Sequence, residues 1–308
     1  MMPDDDGLDL VTGAFSYTGR AIARRLLESG RRVKTLTAHP DRASRLDDPV
    51  EAEPYAFDDP GRLVRAMDGV TTLYNTYWVR FERGRTTFVQ AVRNSRTLFE
   101  AAHEAGVRRI VHISIAKADA APTLPYYAGK AQVERELASV GVAHSIVRPT
   151  VVFGHGDVLV NNLAWLLRRF PVFAIPGSGD YGVRPVHVDD VARLCVAAAA
   201  EQGNGSVDAV GPETFTFGQW VALVRDAVGA RAWLVQVPAA LVPPVTGVLG
   251  RAVGDILLTR DELVGLMMGL VTTEGPATGR IVFSDWLAEH ASEIGRHYAS
   301  EVRRHFDR

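Results

Sequence analysis

The stretch "VTGAFSYTGRAIARRLL", residues 11–27, decides how the rest of the chain is read. It begins at the end of a short apolar run and finishes with apolar residues three and four apart. That pattern spells a strand, a tight turn and the start of an amphipathic helix. Gly13 and Gly19 stand six apart with Ser16 between them. A turn in this position that lets a pyrophosphate approach the backbone needs three things: a sharp bend, a small residue at the approach and close helix–strand packing. Gly13 and Gly19 serve the first and the last. Ser16 replaces the usual middle glycine, and its hydroxyl is small enough to bond a phosphate oxygen. The amides of the helix start then face the anion. The expected ligand is a dinucleotide.

Outward from this loop, short apolar runs alternate with helical patterns. "LDLVTG" (8–13), "RVKTLTA" (32–38), "TTLYNTYW" (71–78), "RRIVHISI" (108–115) and "AHSIVRPT" (143–150) read as strands. Helices are expected over 19–30, within 60–70, up to Gly106 and over 126–141. Such alternation means an α/β fold with a parallel, doubly wound sheet and right-handed crossovers. Ligands of such sheets bind at the carboxyl ends of the strands. The loops after Val11, Thr37, Leu73, Ile113 and Val147 therefore share the rim where chemistry is expected.

Beyond residue 150, Pro and Gly become frequent, as in "FAIPGSGDYGVRP" (173–185). The expected division is a core over 1–150, joined again by 183–201, and a smaller C-terminal substrate cap over 151–182 and 202–308. Residues 183–201 read as a strand leading into a helix that returns to the main sheet.

Bulk properties exclude several classes. A net charge of −2 over 308 residues supplies no field for nucleic acid or an anionic membrane. One cysteine, Cys195, rules out a disulfide framework and reads as a buried thiol. No His/acid cluster has metal spacing, so no metal is expected. The acidic start "MMPDDDGLDL" lacks signal-peptide character. The apolar run 232–250 carries Pro238, Pro243 and Pro244, which would break a spanning helix, and reads as core strand, loop and packed helix. A cytoplasmic protein with a small-molecule substrate is expected; self-association into a homo-oligomer is left open.

The pair Tyr126 and Lys130 lies in "LPYYAGKA", after the fifth strand and at a helix start. A tyrosine with a pKa near 10 is a poor proton donor unless a cation lowers it. A lysine four residues on shares its helix face and can do so. Tyr127 has Ala131 at that spacing, so Tyr126 is the expected acid.

Taken together, "TGAFSYTGR", the Tyr126–Lys130 pair, "RPTVVFG" (148–154) and "VHVDDVA" (186–192) give the chain a resemblance to extended or atypical short-chain dehydrogenases/reductases. It is similar to the NmrA-like and sugar-epimerase groups and to the group resembling an accessory subunit of respiratory complex I, over about residues 8–200. The resemblance implies a Rossmann fold with NAD or NADP. Gly13, Ser16, Tyr17, Thr18 and Gly19 would line the phosphates. Asp58 would bond the adenine amino group, with a helix cap before Pro60 as its competing role. Asn75, Thr76 and Tyr77 would pass the nicotinamide ribose, which Lys130 would grip. A serine that holds the substrate oxygen stands one place later in the family, at Ile115; here the nearest is Ser114.

The second strand ends in "TLTAHPDRASR" without the acid that holds ribose hydroxyls in NAD enzymes. Its absence favours NADP, with His39 and Arg42 near the 2′-phosphate and NAD as the alternative. Trp78, Arg80, Phe153 and Asn161 are the substrate-pocket candidates. The expected activity is hydride transfer between the nicotinamide and a carbonyl or alcohol. Two alternatives remain: a nucleotide-sugar epimerase or dehydratase with tightly held NAD, and a non-catalytic dinucleotide-binding sensor or assembly factor.

Overall fold

The computed structural model describes residues 7–41 and 50–302. The chain divides into two compact units. The first holds the described residues up to Pro149 together with Val188–Ala209; the second holds Thr150–His187 and the described residues from Val210 on.

The first unit is a parallel sheet with helices on both faces. Its strands are β1 (Leu8–Thr12), β2 (Arg32–Thr37), β3 (Glu51–Pro54), β4 (Val70–Asn75), β5 (Arg109–Ile113) and β6 (Ala143–Pro149). Its helices include α1 (Tyr17–Glu28), α2 (Pro60–Ala66), α3 (Phe88–Glu104) and α4 (Pro125–Ser139). The order across the sheet is β3-β2-β1-β4-β5-β6, completed by Gly205–Ala209 beside β6, all parallel. Strand order therefore reverses between β1 and β4, the place where such sheets open a ligand crevice.

Period-two alternation builds the layers. Leu10, Leu36, Leu73, Ile110 and Ile146 share one core with Leu63, Met67, Leu98, Phe99, Val133 and Leu137. The opposite face is covered by α1 and the helix Val188–Ala199, which pack on each other. Cys195 on that helix is fully buried, and burial pushes its thiol pKa up. At the foot of β1, the buried Asp9 carboxylate is held by Arg31 through two bonds, of 2.8 and 2.7 Å.

The segment Pro185–His187 does not join the main sheet; it pairs in parallel with Val151–Phe153 in a separate two-stranded sheet. Pro149 ends β6, and the chain leaves the main sheet after it. The position next to β6 is filled instead by Gly205–Ala209, which the sequence reading had assigned to the cap. Trp233–Val237 is a strand, but not a core one: among the described residues it pairs only with Val172–Pro176, and Trp233 is 75% exposed. A helix, Val242–Val253, follows it. Among the described residues no helix is long and apolar enough to cross a membrane.

The second unit has its own core, in which Phe153, Trp220, Phe283, Trp286 and Leu287 meet. Phe153 is fully buried there and is no pocket residue. Asn161, on the helix Leu159–Arg169, is also spent internally. It donates to the carbonyls of His297 (2.9 Å) and the Asn162 side chain (3.1 Å) and accepts from Gly295 N (2.9 Å). His297 and Gly295 lie far along the chain, which is why local sequence could not exclude a pocket role.

Candidate active site

The glycine loop closes on its own backbone. Gly13 N donates to Leu36 O and Ser16 N to Gly13 O, both at 2.8 Å. Gly13 has φ +65°, a conformation that favours glycine. Gly19 is packed so closely that a Cβ there would run into the Gly13 carbonyl. Thr35 Oγ1 accepts from Ala14 N (3.0 Å) and donates to Val11 O (2.7 Å), pinning the loop to β2. Ser16 stands at the N-cap of α1, yet its side chain caps no amide. Ser16 thus leaves the first turn of α1 uncapped by its side chain, as a phosphate-binding helix start requires. The turn could hold a pyrophosphate against Gly13, Ser16 and the first turn of α1.

His39, half-buried after β2, donates its amide to Thr37 Oγ1 (3.1 Å). Arg42 lies outside the described residues. Asp58 is exposed, and it is not the cap of α2: Asp59 fills that role, accepting from Arg62 N at 3.1 Å. Asp58 is thereby relieved of the structural duty that competed with an adenine contact.

The turn after β4 is organised by a residue the sequence reading did not single out. Thr12 Oγ1, at the end of β1, accepts from Thr76 N (2.7 Å) and Tyr77 N (3.1 Å) and lies 3.2 Å from Asn75 Oδ1. Thr76 Oγ1 in turn donates to Thr12 O. Asn75 is fully buried, and its carboxamide is committed: Oδ1 accepts from Tyr77 N (3.1 Å) and Nδ2 reaches His112 Nδ1 (3.0 Å). Its side chain therefore shapes the turn. Because an amide nitrogen can only donate, His112 Nδ1 accepts and its proton sits on Nε2. Burial, together with the Lys130 charge, holds the His112 pKa well below its ordinary value, so the ring is neutral. Tyr77 OH accepts from Asn94 Nδ2 at 2.7 Å, and the Tyr77 ring packs on Tyr55 and Phe57.

Tyr126 lies in the first turn of α4 and Lys130 in the next, on one helix face. The Trp78 side chain, two residues beyond Thr76, brings them together. The Lys130 ammonium lies 4.9 Å from the Trp78 ring centroid, and the Tyr126 ring meets the indole edge-on at 6.1 Å. Lys130 is buried and donates to Ile113 O at 3.1 Å. Burial pulls its pKa down to about 7, opposed by the Glu134 carboxylate. Phe88, at the start of α3, stacks on Trp78 with centroids 5.8 Å apart and packs against Tyr126 at 5.7 Å. Gly129 leaves room for the indole: a Cβ there would lie 2.8 Å from Trp78 Cη2. Phe88 and Gly129 were not singled out from sequence, although a glycine directly before the lysine was a legible sign of close approach.

Ser114 follows β5 with its hydroxyl buried and without a hydrogen-bond partner, while its amide donates to Val147 O at 2.8 Å. Lys117, three residues on, is the one non-glycine with a positive φ (+52°) among the described residues. Arg80 lies half-buried beyond Trp78. Among the described residues no group of three metal-ligating side chains occurs.

A glycine loop at the β1–α1 turn, a strand-order switch at β1/β4 and a Tyr–Lys helix face beside it define a Rossmann-type nicotinamide-dinucleotide fold. Residues 10–211 match the NAD dependent epimerase/dehydratase family, and the chain belongs to that family. It is 29% identical over 299 residues to (4-alkanoyl-5-oxo-2,5-dihydrofuran-3-yl)methyl phosphate reductase of Streptomyces griseus, covering 92% of this chain and 97% of that one. It is 27% identical over 174 residues to the mitochondrial NADH-ubiquinone oxidoreductase 40 kDa subunit of Neurospora crassa; that match covers 56% of this chain and 45% of the subunit. The chain thus matches less than half the length of that relative. Among solved structures it is similar to the NADPH-dependent quinone oxidoreductase of Escherichia coli complexed with NADPH. There the TM-score is 0.73 at 20% identity, over 92% of this chain and 98% of that one. The family includes both reductases and epimerases that use nicotinamide dinucleotides.

Proposed function

We propose that the protein is an NADP-dependent reductase of a small carbonyl-type substrate, with Tyr126 as the proton donor. The observation that carries this reading is the convergence of Tyr126 and Lys130 on Trp78 beside the β1/β4 switch point. A bound nicotinamide cofactor supplies the hydride. Tyr126 gives its phenolic proton to the substrate oxygen as that oxygen gains charge. Lys130, when protonated, lowers the phenol's pKa through its positive charge and can hold a ribose hydroxyl. Trp78, Phe88 and Tyr126 form an aromatic wall that keeps water from this face. The buried, unpartnered Ser114 hydroxyl is a second donor for the substrate oxygen. Asn75 acts on this site only by holding the Thr76–Tyr77 turn. The sequence Ala38-His39-Pro40 after β2 offers no acid to repel a 2′-phosphate, which supports NADP over NAD.

The test is oxidation of NADPH against a panel of carbonyl compounds. Tyr126→Phe is expected to lower kcat by about 10²-fold or more while leaving the NADPH Kd within about threefold. Unchanged turnover removes Tyr126 as the acid. Tighter binding of NADH than of NADPH reverses the cofactor assignment.

A second reading is a dinucleotide-binding protein without turnover. It is favoured by one observation: Lys130 is already bonded to Ile113 O and covered by the Trp78 ring. Tight NADPH binding with no oxidation across the panel selects it.

A further inference from the structure

The proposed reaction leaves one buried titratable side chain without a role. His112, on β5, is fully buried, with the Phe99 ring of α3 edge-on to it at 5.9 Å. Its Nε2 has no hydrogen-bond partner. An unpaired buried donor costs stability, and an apolar side chain of similar size would avoid that cost. What the ring supplies in return is its other nitrogen. The pairing of β4 with β5 sets Asn75 and His112 side by side, and His112 Nδ1 accepts from Asn75 Nδ2 at 3.0 Å.

A carboxamide can face two ways, and the two are not equivalent here. With Nδ2 on the imidazole, Asn75 Oδ1 accepts from Tyr77 N (3.1 Å) and from Thr12 Oγ1 (3.2 Å). Turned over, Nδ2 would meet the Tyr77 N–H, donor against donor, and the turn over 75–77 would lose its anchor. The next residue is Trp78. Its indole makes no hydrogen bond of its own, because Nε1 is buried without a partner. Three things set its place 4.9 Å from the Lys130 ammonium and edge-on to Tyr126: the stack on Phe88, the slot at Gly129 and the turn before it. Only the turn is held by hydrogen bonds. Contacts therefore run from His112 through Asn75 and Tyr77 N to Trp78, and from Trp78 to Lys130.

We propose that His112 is a positioning residue of this site: as the neutral tautomer with its proton on Nε2, it dictates which way the Asn75 carboxamide faces and thereby holds Trp78 over Lys130. It acts through Asn75 and not by touching substrate or cofactor. The charges around it keep the ring neutral. Burial is the main cause, and the Lys130 and His144 charges also oppose a second proton; Glu134 acts on Lys130 in the opposite sense. The step from Trp78 to turnover rests on the reductase reading. The step from His112 to Lys130 does not.

The experiment uses the full chain. Nitrogen NMR of labelled histidine, assigned with His112→Asn, is expected to show the His112 proton on Nε2. Asn75→Asp sets a carboxylate opposite Nδ1 and is expected to draw a proton onto that nitrogen. The second readout is the titration of Lys130, followed through its side-chain carbon signal; the sequence holds only Lys34 and Lys117 besides. His112→Leu removes the acceptor, so Trp78 loosens and water reaches the ammonium. Lys130 is then expected to hold its proton about tenfold more tightly or more. Asparagine carries its oxygen as many bonds from Cα as histidine carries Nδ1, so His112→Asn is expected to restore the wild-type titration. Under the reductase reading, kcat falls about tenfold in His112→Leu and recovers in His112→Asn. A wild-type proton on Nδ1, or a Lys130 titration that His112→Leu leaves unmoved, overturns the proposal. So does a His112→Asn protein that behaves like His112→Leu, since the ring then only fills space. If His112→Leu does not fold, the spectra decide, and an Nε2 proton unchanged in Asn75→Asp overturns it. If Tyr126→Phe keeps full turnover while the Lys130 response and its rescue persist, the proton-donor reading falls and the positioning role stands.

Discussion

Two loops on the same rim are built by opposite means. The β1–α1 loop is made of backbone: a glycine with positive φ, a glycine against a carbonyl, and first-turn amides left uncapped by Ser16. The segment after β4 is made of side chains borrowed from elsewhere in the chain. Thr12 holds its turn, Asn75 anchors it to His112, and Trp78 lies against Phe88, Gly129 and Lys130. A loop that recognises phosphates through its own amides needs little beyond its local sequence. A loop that places an aromatic ring over a buried lysine depends on distant residues arriving on time.

The sharpest way to break the first loop is Gly19→Ala. The new Cβ meets a backbone oxygen that cannot turn aside, so the strand–helix junction must open. NADPH affinity is expected to fall by about 10³-fold or more, above the usual cost of overpacking, as measured by the cofactor Kd.

The second loop is best probed through the lysine it covers. The folded protein releases the Lys130 proton near pH 7, whereas the unfolded chain keeps it to about 10.5. Between those values the unfolded state binds more protons, so stability rises with pH across that window and is at its lowest below it. In Lys130→Met this rise disappears. Urea unfolding at pH 6 and pH 9.5 should show the wild type gaining a few kcal/mol relative to the variant. A flat difference would mean that Lys130 is not buried as described.

Gly129→Ala separates the two loops. Its Cβ would crowd Trp78 Cη2 at 2.8 Å and tilt the indole away from Lys130. A loss of about 1–3 kcal/mol in stability is expected, with a shift in tryptophan emission, while the NADPH Kd changes far less than in Gly19→Ala. The smallest effect is expected at Thr87, whose side chain accepts from Gln90 N at 3.1 Å to cap α3. Thr87→Ala should cost about 1 kcal/mol in thermal unfolding and leave the glycine loop untouched.

The same contrast accounts for what could be read in advance. Gly13, Gly19, Tyr126 and Lys130 were legible because spacing along one turn or one helix face defines their geometry. Asn75 was not: an asparagine after a strand reads as a turn or a cofactor contact, and only the pairing of β4 with β5 sets His112 beside it. Asn161 bonds to residues more than 130 positions away, and Phe153 sits among rings from the far C-terminal part of the chain. Trp233–Val237 has the apolar content of a core strand, but it pairs with Val172–Pro176 in a sheet of its own, and Trp233 stays exposed.

By itself the sequence determined the parallel α/β fold, the tight glycine turn between β1 and α1 and the shared helix face of Tyr126 and Lys130, because each is set by the short periods of strand and helix and by the freedom of glycine. The tertiary structure alone decided that Gly205–Ala209 completes the sheet, that Asn75 turns inward, and that Trp78 joins Tyr126 to Lys130. Those outcomes depend on which surfaces meet when the sheet closes, and no local period encodes them.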